Sequence, residues 1–214
     1  MGKSVYSLVL SDEVIELVDR YAEKRGMSRS NLINQILAEK IGYETPEKRL
    51  TDIFNEVEKL IEQHHNMRFS GLPSGSMATI MSAISYKYKP AVKYSVEIYP
   101  NNDSGYLGEI RVSFRTTNSV LLNHILNFFA FWNRLEQKYL PIKVNSEIEI
   151  GKYKRVIRLP NFMCTNSMIG EIITDYVKRL DFFMNNYFAN LDNDFNLKKA
   201  EEVYKNTIAP KTII

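Results

Sequence analysis

The sequence predicts an α+β protein in two parts. A small N-terminal unit of one strand and two helices precedes a larger domain of antiparallel hairpins and long amphipathic helices. Three observations carry this prediction. Apolar residues within the first 42 positions change from a period of two to a period near 3.6. Two pairs of β-prone runs follow, each joined by a segment that contains glycine. Long apolar stripes of helical spacing occur between and after these pairs.

The first 42 residues predict a strand, a helix, a turn and a second helix. Alternating apolar residues indicate a strand over residues 4–10. A capping serine opens each helix and a glycine ends it: Ser11 and Gly26 for the first helix, Ser28 and Gly42 for the second. The first helix carries apolar residues at i, i+3, i+4, i+7 and i+8 from Val14 to Ala22, and the stripe of the second is Leu32, Ile33, Ile36, Leu37 and Ile41, so each presents one apolar face.

This unit is too small to fold alone. About forty residues bury too little apolar surface to offset chain entropy, and a lone strand leaves its backbone N–H and C=O groups unpaired. Two copies remove both problems if their strands pair antiparallel and their helices interlock. We therefore expect an intertwined homodimer, and the sequence leaves open whether higher oligomers form.

The larger domain follows through a connecting helix. We expect three segments: a dimerising unit at 1–45, a connecting helix at 46–68 opened by Thr45 and Pro46, and an α+β domain at 69–214. The elements expected in the last segment are a loop at 69–76, a short helix at 77–84, strands at 91–99 and 106–116, a helix opened by Ser119, a hairpin of 143–150 with 152–159, a long helix opened by Thr165 or Ser167, and a helix at 197–207.

The composition is that of an ordinary folded protein. Of the 214 residues, 44% are hydrophobic and 25% are charged, and 9 Gly and 7 Pro do not suit a disordered or collagen-like chain. The single cysteine, Cys164, excludes an internal disulfide and a multi-cysteine zinc site. No apolar run approaches the roughly 18 residues of a membrane span, and the N-terminus lacks a cleavage-site pattern. We therefore expect a soluble cytoplasmic protein that makes no membrane contact.

Positive charge is concentrated in the middle of the chain. The net charge is +3, yet residues 86–160 carry 12 basic and 6 acidic side chains, whereas residues 1–45 carry 6 and 7. Surfaces that bind polyanions usually show their charge as a patch. Six basic residues on the predicted strands are the candidate second nucleic-acid contacts: Lys93, Arg111, Arg115, Lys152, Lys154 and Arg155. The alternative is that they keep the outer face of a half-buried sheet in water.

The N-terminal unit resembles the ribbon-helix-helix fold of Arc/CopG-like DNA-binding proteins. The resemblance is carried by the alternating strand at 4–10, the helix start Ser11-Asp12-Glu13, and the turn Gly26-Met27-Ser28-Arg29-Ser30, and it covers about a fifth of the chain. It implies that two strands form an antiparallel ribbon in the DNA major groove. It also implies that the N-terminus of the second helix holds a phosphate. The alternative is a strand and two helices of some other small domain.

The resemblance assigns candidate DNA contacts. These are Lys3, Val5, Ser7 and Val9 on the strand and Ser28, Arg29 and Ser30 at the helix start. Family members usually carry polar groove-facing residues, whereas two of these are valines, which contact a thymine methyl group but make no hydrogen bonds to base edges. We therefore expect weak, A·T-leaning readout, with phosphates supplying most of the affinity. A unit that dimerises without binding DNA is the alternative.

Residues with catalytic or metal-binding chemistry form no recognisable set. His64 and His65 are adjacent on a predicted helix and so diverge, and His124 and Cys164 lie far away in sequence. We expect no enzyme activity, cofactor or metal. The sequence favours a DNA-binding homodimer acting as a transcriptional repressor and associated with the nucleoid. The alternatives are an accessory protein of plasmid partition or the relaxosome, an antitoxin, or an assembly protein. The larger domain would sense an effector or dock a protein partner.

Overall fold

The computed structural model describes residues 5–72, 74–100, 105–159, 162–191 and 196–208. The helices are α1 (Asp12–Lys24), α2 (Arg29–Lys40), α3 (Pro46–Glu62), α4 (Ser119–Tyr139), α5 (Asn166–Ala189) and α6 (Leu197–Thr207). The strands are β1 (Met67–Phe69), β2 (Met77–Ala83), β3 (Ala91–Ile98), β4 (Tyr106–Phe114), β5 (Ser146–Glu149) and β6 (Lys152–Arg158). The chain divides into two compact units, Met1–Lys48 and Arg49–Ile214.

The first unit contains the two predicted helices. A turn joins them, and Gly26 adopts a φ of +62° there, a left-handed conformation that glycine enters without steric cost. Residues 5–10 precede α1 and form no strand within the single chain. A strand needs a partner for its backbone groups, and the described part of this chain supplies none to these residues.

The second unit has one antiparallel sheet in the order β1-β2-β3-β4-β6-β5. Helix α4 connects β4 to the last hairpin, which returns so that β6 pairs with β4 and β5 lies at the edge. Residues opposite each other in an antiparallel pair share a face. The register therefore places Lys93, Ser113 and Lys152 in one row across three strands.

The hydrophobic core lies on one face of this sheet. Helices α3, α4, α5 and α6 contribute side chains to it, and so does every second residue of β3, from Val92 to Ile98. Trp132 of α4 and Tyr204 of α6 meet there with ring centroids 5.2 Å apart. The opposite face, which we call the outer face, carries the exposed and half-buried side chains, among them Lys93 and Arg111.

The predicted α+β class with antiparallel hairpins is confirmed for this second unit. The two predicted hairpins, β3–β4 and β5–β6, and the helices α4, α5 and α6 lie at the predicted positions. Asn118 rather than Ser119 caps α4, since its side chain accepts a hydrogen bond from the N–H of Leu121. Of the two residues considered for α5, Thr165 is the cap.

The predicted short helix at 77–84 is wrong. Residues 77–83 form β2, which pairs with β1 on one side and β3 on the other. Small residues such as Ala78 and Ser82 gave a weak strand signal, and pairing on both edges overrides local preference. The connecting helix also ends at Glu62 rather than at 68, and residues 67–69 form β1.

Gly108 lets β4 approach β3 beside a bulge. A Cβ atom at this position would lie 2.0 Å from the carbonyl oxygen of Glu97. We expect Gly108→Ala to displace the strand and lower the free energy of unfolding by about 2–3 kcal/mol, measured by urea denaturation. Gly75→Ala is the control, since open space surrounds Gly75, and its effect should stay within about 0.5 kcal/mol. Equal effects of the two substitutions would contradict this account.

Candidate nucleic-acid interface

The first turn of α2 has the geometry that anion binding needs. Ser28 is the N-cap residue, with extended backbone, and its Oγ accepts a hydrogen bond from the N–H of Asn31 at 3.3 Å. Ser30 lies exposed one residue inside the helix. Backbone N–H groups at a helix N-terminus, together with the helix dipole, attract a phosphate. The helix start predicted from the sequence is therefore present and open to solvent.

Arg29 is not an independent cation at this helix start. Its guanidinium forms a two-point ion pair with the carboxylate of Asp19 on α1. The hydrogen bond and the charge of Asp19 raise the pKa of Arg29. A phosphate at this position would therefore have to share the guanidinium with Asp19. The pair also links the two helices of the first unit.

The strand residues assigned to DNA contact are open to solvent. Val5 and Val9 are 99% and 101% exposed, and Ser7 is exposed between them. Lys3 lies outside the described residues. Fully exposed valines at alternate positions gain no stability from the single chain.

Most apolar side chains of the first unit are uncovered. Within residues 5–48, the buried residues are Ala22, Leu32, Ala38 and Thr45. The large exposed apolar residues of this segment are Val5, Tyr6, Leu8, Val9, Leu10, Val14, Leu17, Tyr21, Ile36, Leu37, Ile41 and Tyr43. They include Val14, Leu17 and Tyr21 of the first predicted stripe, Ile36, Leu37 and Ile41 of the second, and the apolar face of the N-terminal segment. So many exposed large apolar side chains on a small unit indicate a surface that another chain covers.

Three of the six basic residues predicted on the sheet are held in ion pairs on the outer face. Arg111 contacts Glu109 and, at 3.0 Å, Glu97. The other two pairs join the edge hairpin: Lys152 to Glu149 at 3.4 Å and Lys154 to Glu147 at 2.7 Å. Surface pairs of this kind add little stability, but they neutralise much of the charge that the sequence placed in this segment.

The prediction that Arg155 belongs to the exposed basic residues of the sheet is wrong. It lies on the core face of β6, 1% exposed, because it alternates with Lys154 along the strand. Its Nε donates to Oε1 of Glu136 at 3.3 Å, within a buried ion pair. A side chain in this position cannot reach a nucleic acid. Lys93 and Arg115 remain exposed.

Sequence reasoning missed the polar network around Glu136. The hydroxyl of Tyr153 donates to Oε2 of Glu136 at 2.6 Å, and that of Tyr176 does so at 3.4 Å. Burial raises the pKa of both tyrosines, so each stays protonated and donates. A signal was present: Glu136 lies one helical turn after Trp132 on the apolar stripe of α4.

Comparison with protein-family models, with curated proteins and with solved structures finds no match for this chain. In the described ranges, no helix has both the length and the apolar character needed to cross a bilayer. No group of three His, Cys, Asp or Glu side chains lies close enough to hold a metal ion in the same part of the chain. Each unit therefore offers its own candidate surface: the exposed residues of the first unit, and Lys93 and Arg115 in the second.

Proposed function

We propose that the protein is a homodimeric DNA-binding protein of the ribbon-helix-helix type that regulates transcription as a repressor. The observation that carries this proposal is the uncovered apolar surface of the first unit beside an alternating, unpaired segment at 5–10. A second copy would supply a partner strand for the segment and a cover for the apolar faces of α1 and α2.

In the proposed complex, the two segments pair as a ribbon in the major groove. Alternation directs Val5, Ser7 and Val9 to the DNA and the intervening apolar residues to the protein interior. The start of α2, with Ser28 and Ser30, holds a phosphate on each side. Because two valines face the bases, specificity comes from thymine methyl contacts and DNA shape rather than from hydrogen bonds.

A second candidate is an assembly protein that dimerises through this unit without binding DNA. It is favoured by the charge of residues 1–45, which carry 6 basic and 7 acidic side chains, and by the ion pair between Arg29 and Asp19. A map of genome-wide DNA occupancy separates the candidates. Discrete sites at promoters would support a repressor, and sites beside partition, relaxase or toxin genes would support an accessory role. A complete absence of binding sites would support the assembly protein.

Two substitutions one residue apart test the proposed ribbon. We expect Val9→Glu to lower DNA affinity at least about 100-fold while the dimer persists, because it would bring two carboxylates per dimer into the negatively charged major groove. We expect Leu8→Glu to disrupt the dimer, because Leu8 faces the interior. Fluorescence anisotropy with the promoter of the protein's own gene measures the first effect and light scattering the second. Unchanged DNA binding by Val9→Glu would contradict the proposed orientation.

A further inference from the structure

The loop between β2 and β3 presents two lysines and a tyrosine at its tip. Tyr88 is 101% exposed, and Lys87 and Lys89 on either side are exposed too. Among the described residues, no carboxylate lies within ion-pair distance of either lysine. Lysine and tyrosine side chains are both among those that contact DNA phosphates. The tip is therefore an exposed cationic surface with a hydroxyl donor at its centre.

The backbone of this tip is strained in a way that glycine would relieve. Tyr88 and Lys89 have φ values of +64° and +43°. Left-handed turns of this kind favour glycine and asparagine, since a Cβ atom crowds the backbone. The N–H of Lys89 donates to the carbonyl of Tyr86 at 2.9 Å and closes the turn. Turn geometry thus disfavours these two residues, and their exposed side chains gain no packing in return.

A chain of hydrogen bonds from the core fixes the base of the loop. Ser85 donates from its N–H and its Oγ to Oδ1 of Asn185, at 2.8 and 3.0 Å. Asn185 donates in turn to Asp181 at 3.0 Å, and the Tyr94 hydroxyl donates to the same carboxylate at 2.8 Å. Tyr86 packs edge-on against Phe188. A loop ordered in advance loses less entropy when it binds.

Three further cations lie at the same end of the sheet. The register places Arg68 of β1 and Lys93 of β3 on either side of Met81, in an outer row separated from the loop by the pair of Ala83 and Ala91. Arg115 follows the end of β4, two residues beyond Ser113, which pairs with Lys93. All three cations are exposed, and none has an ion-pair partner within the part of the chain that the structure describes. The paired cations of the outer face lie on β4 and in the edge hairpin.

We propose that these residues bind the phosphate backbone of duplex DNA through a contact separate from the N-terminal ribbon. We call the surface the loop-end patch; it consists of Arg68, Lys87, Tyr88, Lys89, Lys93 and Arg115. The proposal rests on the DNA-binding function proposed above and adds a second contact to it. Phosphate contacts carry no sequence information, so the patch supplies affinity that a weakly specific ribbon lacks.

The test is Lys87→Ala with Lys89→Ala in the full-length protein. Anisotropy titrations with duplex DNA between 50 and 200 mM NaCl give the dependence of log affinity on log salt. Each lost phosphate contact lowers the magnitude of this slope by about 0.9. A dimer that loses four lysine–phosphate contacts should therefore show a slope smaller in magnitude by about 3–4. We expect affinity at the lower salt concentrations to fall at least about tenfold, equally for promoter DNA and for an unrelated duplex.

The matched control is Lys198→Ala with Lys199→Ala, which removes two exposed lysines of α6. Tyr88→Gly with Lys89→Gly should keep or raise the unfolding midpoint, because it relieves the turn, while it weakens DNA binding. An unchanged slope in the loop variant, with binding still weakened about 100-fold by Val9→Glu, would overturn the loop-end patch alone. Equal losses in the loop and α6 variants would also overturn it, as would loop-dependent binding of polyglutamate in preference to DNA. Absence of DNA binding by the wild-type protein overturns the proposed function and this contact together.

Discussion

Replacing Leu17 by aspartate is expected to convert the protein from a dimer to a monomer. Leu17 lies on the apolar stripe of α1 and is 58% exposed in the single chain. Burying one leucine contributes about 2 kcal/mol, and a symmetric dimer buries two. The dimer dissociation constant should therefore rise at least about 1,000-fold, and DNA binding should disappear with the ribbon. Sedimentation equilibrium over a range of protein concentrations measures the change.

Val120→Asp is the matched control for Leu17→Asp. Val120 is 57% exposed in the first turn of α4, so the same charge enters a helix at a site of equal exposure outside the first unit. The dimer should be unaffected by it. If Leu17→Asp left the dissociation constant unchanged, the apolar stripe of α1 would not be the dimer surface, and the intertwined arrangement would be wrong.

The helices of this chain could be predicted because their signals are local. Ser28 and Thr165 each accept a hydrogen bond from the backbone N–H three residues later, as capping residues do. Apolar stripes then set the length of each helix. The β3–β4 and β5–β6 hairpins were predicted for the same reason, since Gly105 and Gly151 mark turns between alternating runs and both have positive φ.

Interactions set by strand register could not be predicted in this way. The ion pair between Arg111 and Glu97 depends on the alignment of β3 with β4, which places Arg111 beside Ser95. The burial of Arg155 could have been predicted from the strand pattern, because Arg155 lies on the same face of β6 as Tyr153 and Ile157, both core residues. Its partner Glu136 belongs to another element, however, and the pair depends on how α4 packs on the sheet.

Lys93 and Arg115 of the loop-end patch were predicted as candidates, but its loop residues were missed because β2 was predicted as a helix. If residues 77–84 form a helix, residues 85–90 are not a hairpin loop. The sequence then does not predict that Lys87 and Lys89 lie together at a loop tip. The hydrogen bonds that fix the base of this loop join Ser85 to Asn185, a hundred positions away in sequence. Hydrogen bonds of this kind leave no local periodicity in the sequence, so the structure is needed to find them.

Breaking the buried pair of Glu136 and Arg155 should strongly destabilise the second unit. Burying two charges is costly, and removing one partner leaves the other charge without compensation, which typically costs about 3–5 kcal/mol. We therefore expect Glu136→Gln and Arg155→Met each to lower the free energy of unfolding by about that amount. Urea denaturation with an unchanged m-value measures the loss.

The double variant Glu136→Gln with Arg155→Met should be more stable than either single variant. The glutamine carbonyl still accepts from the Tyr153 hydroxyl, the methionine fills the space of the arginine stem, and no buried charge remains. The control cycle is Glu147→Gln with Lys154→Met, which removes a partly exposed pair of the same hairpin at 2.7 Å and should show coupling below about 1 kcal/mol. Simple additivity of the two buried substitutions would mean that the charges do not compensate each other. The tyrosine hydroxyls alone would then account for the burial of Glu136.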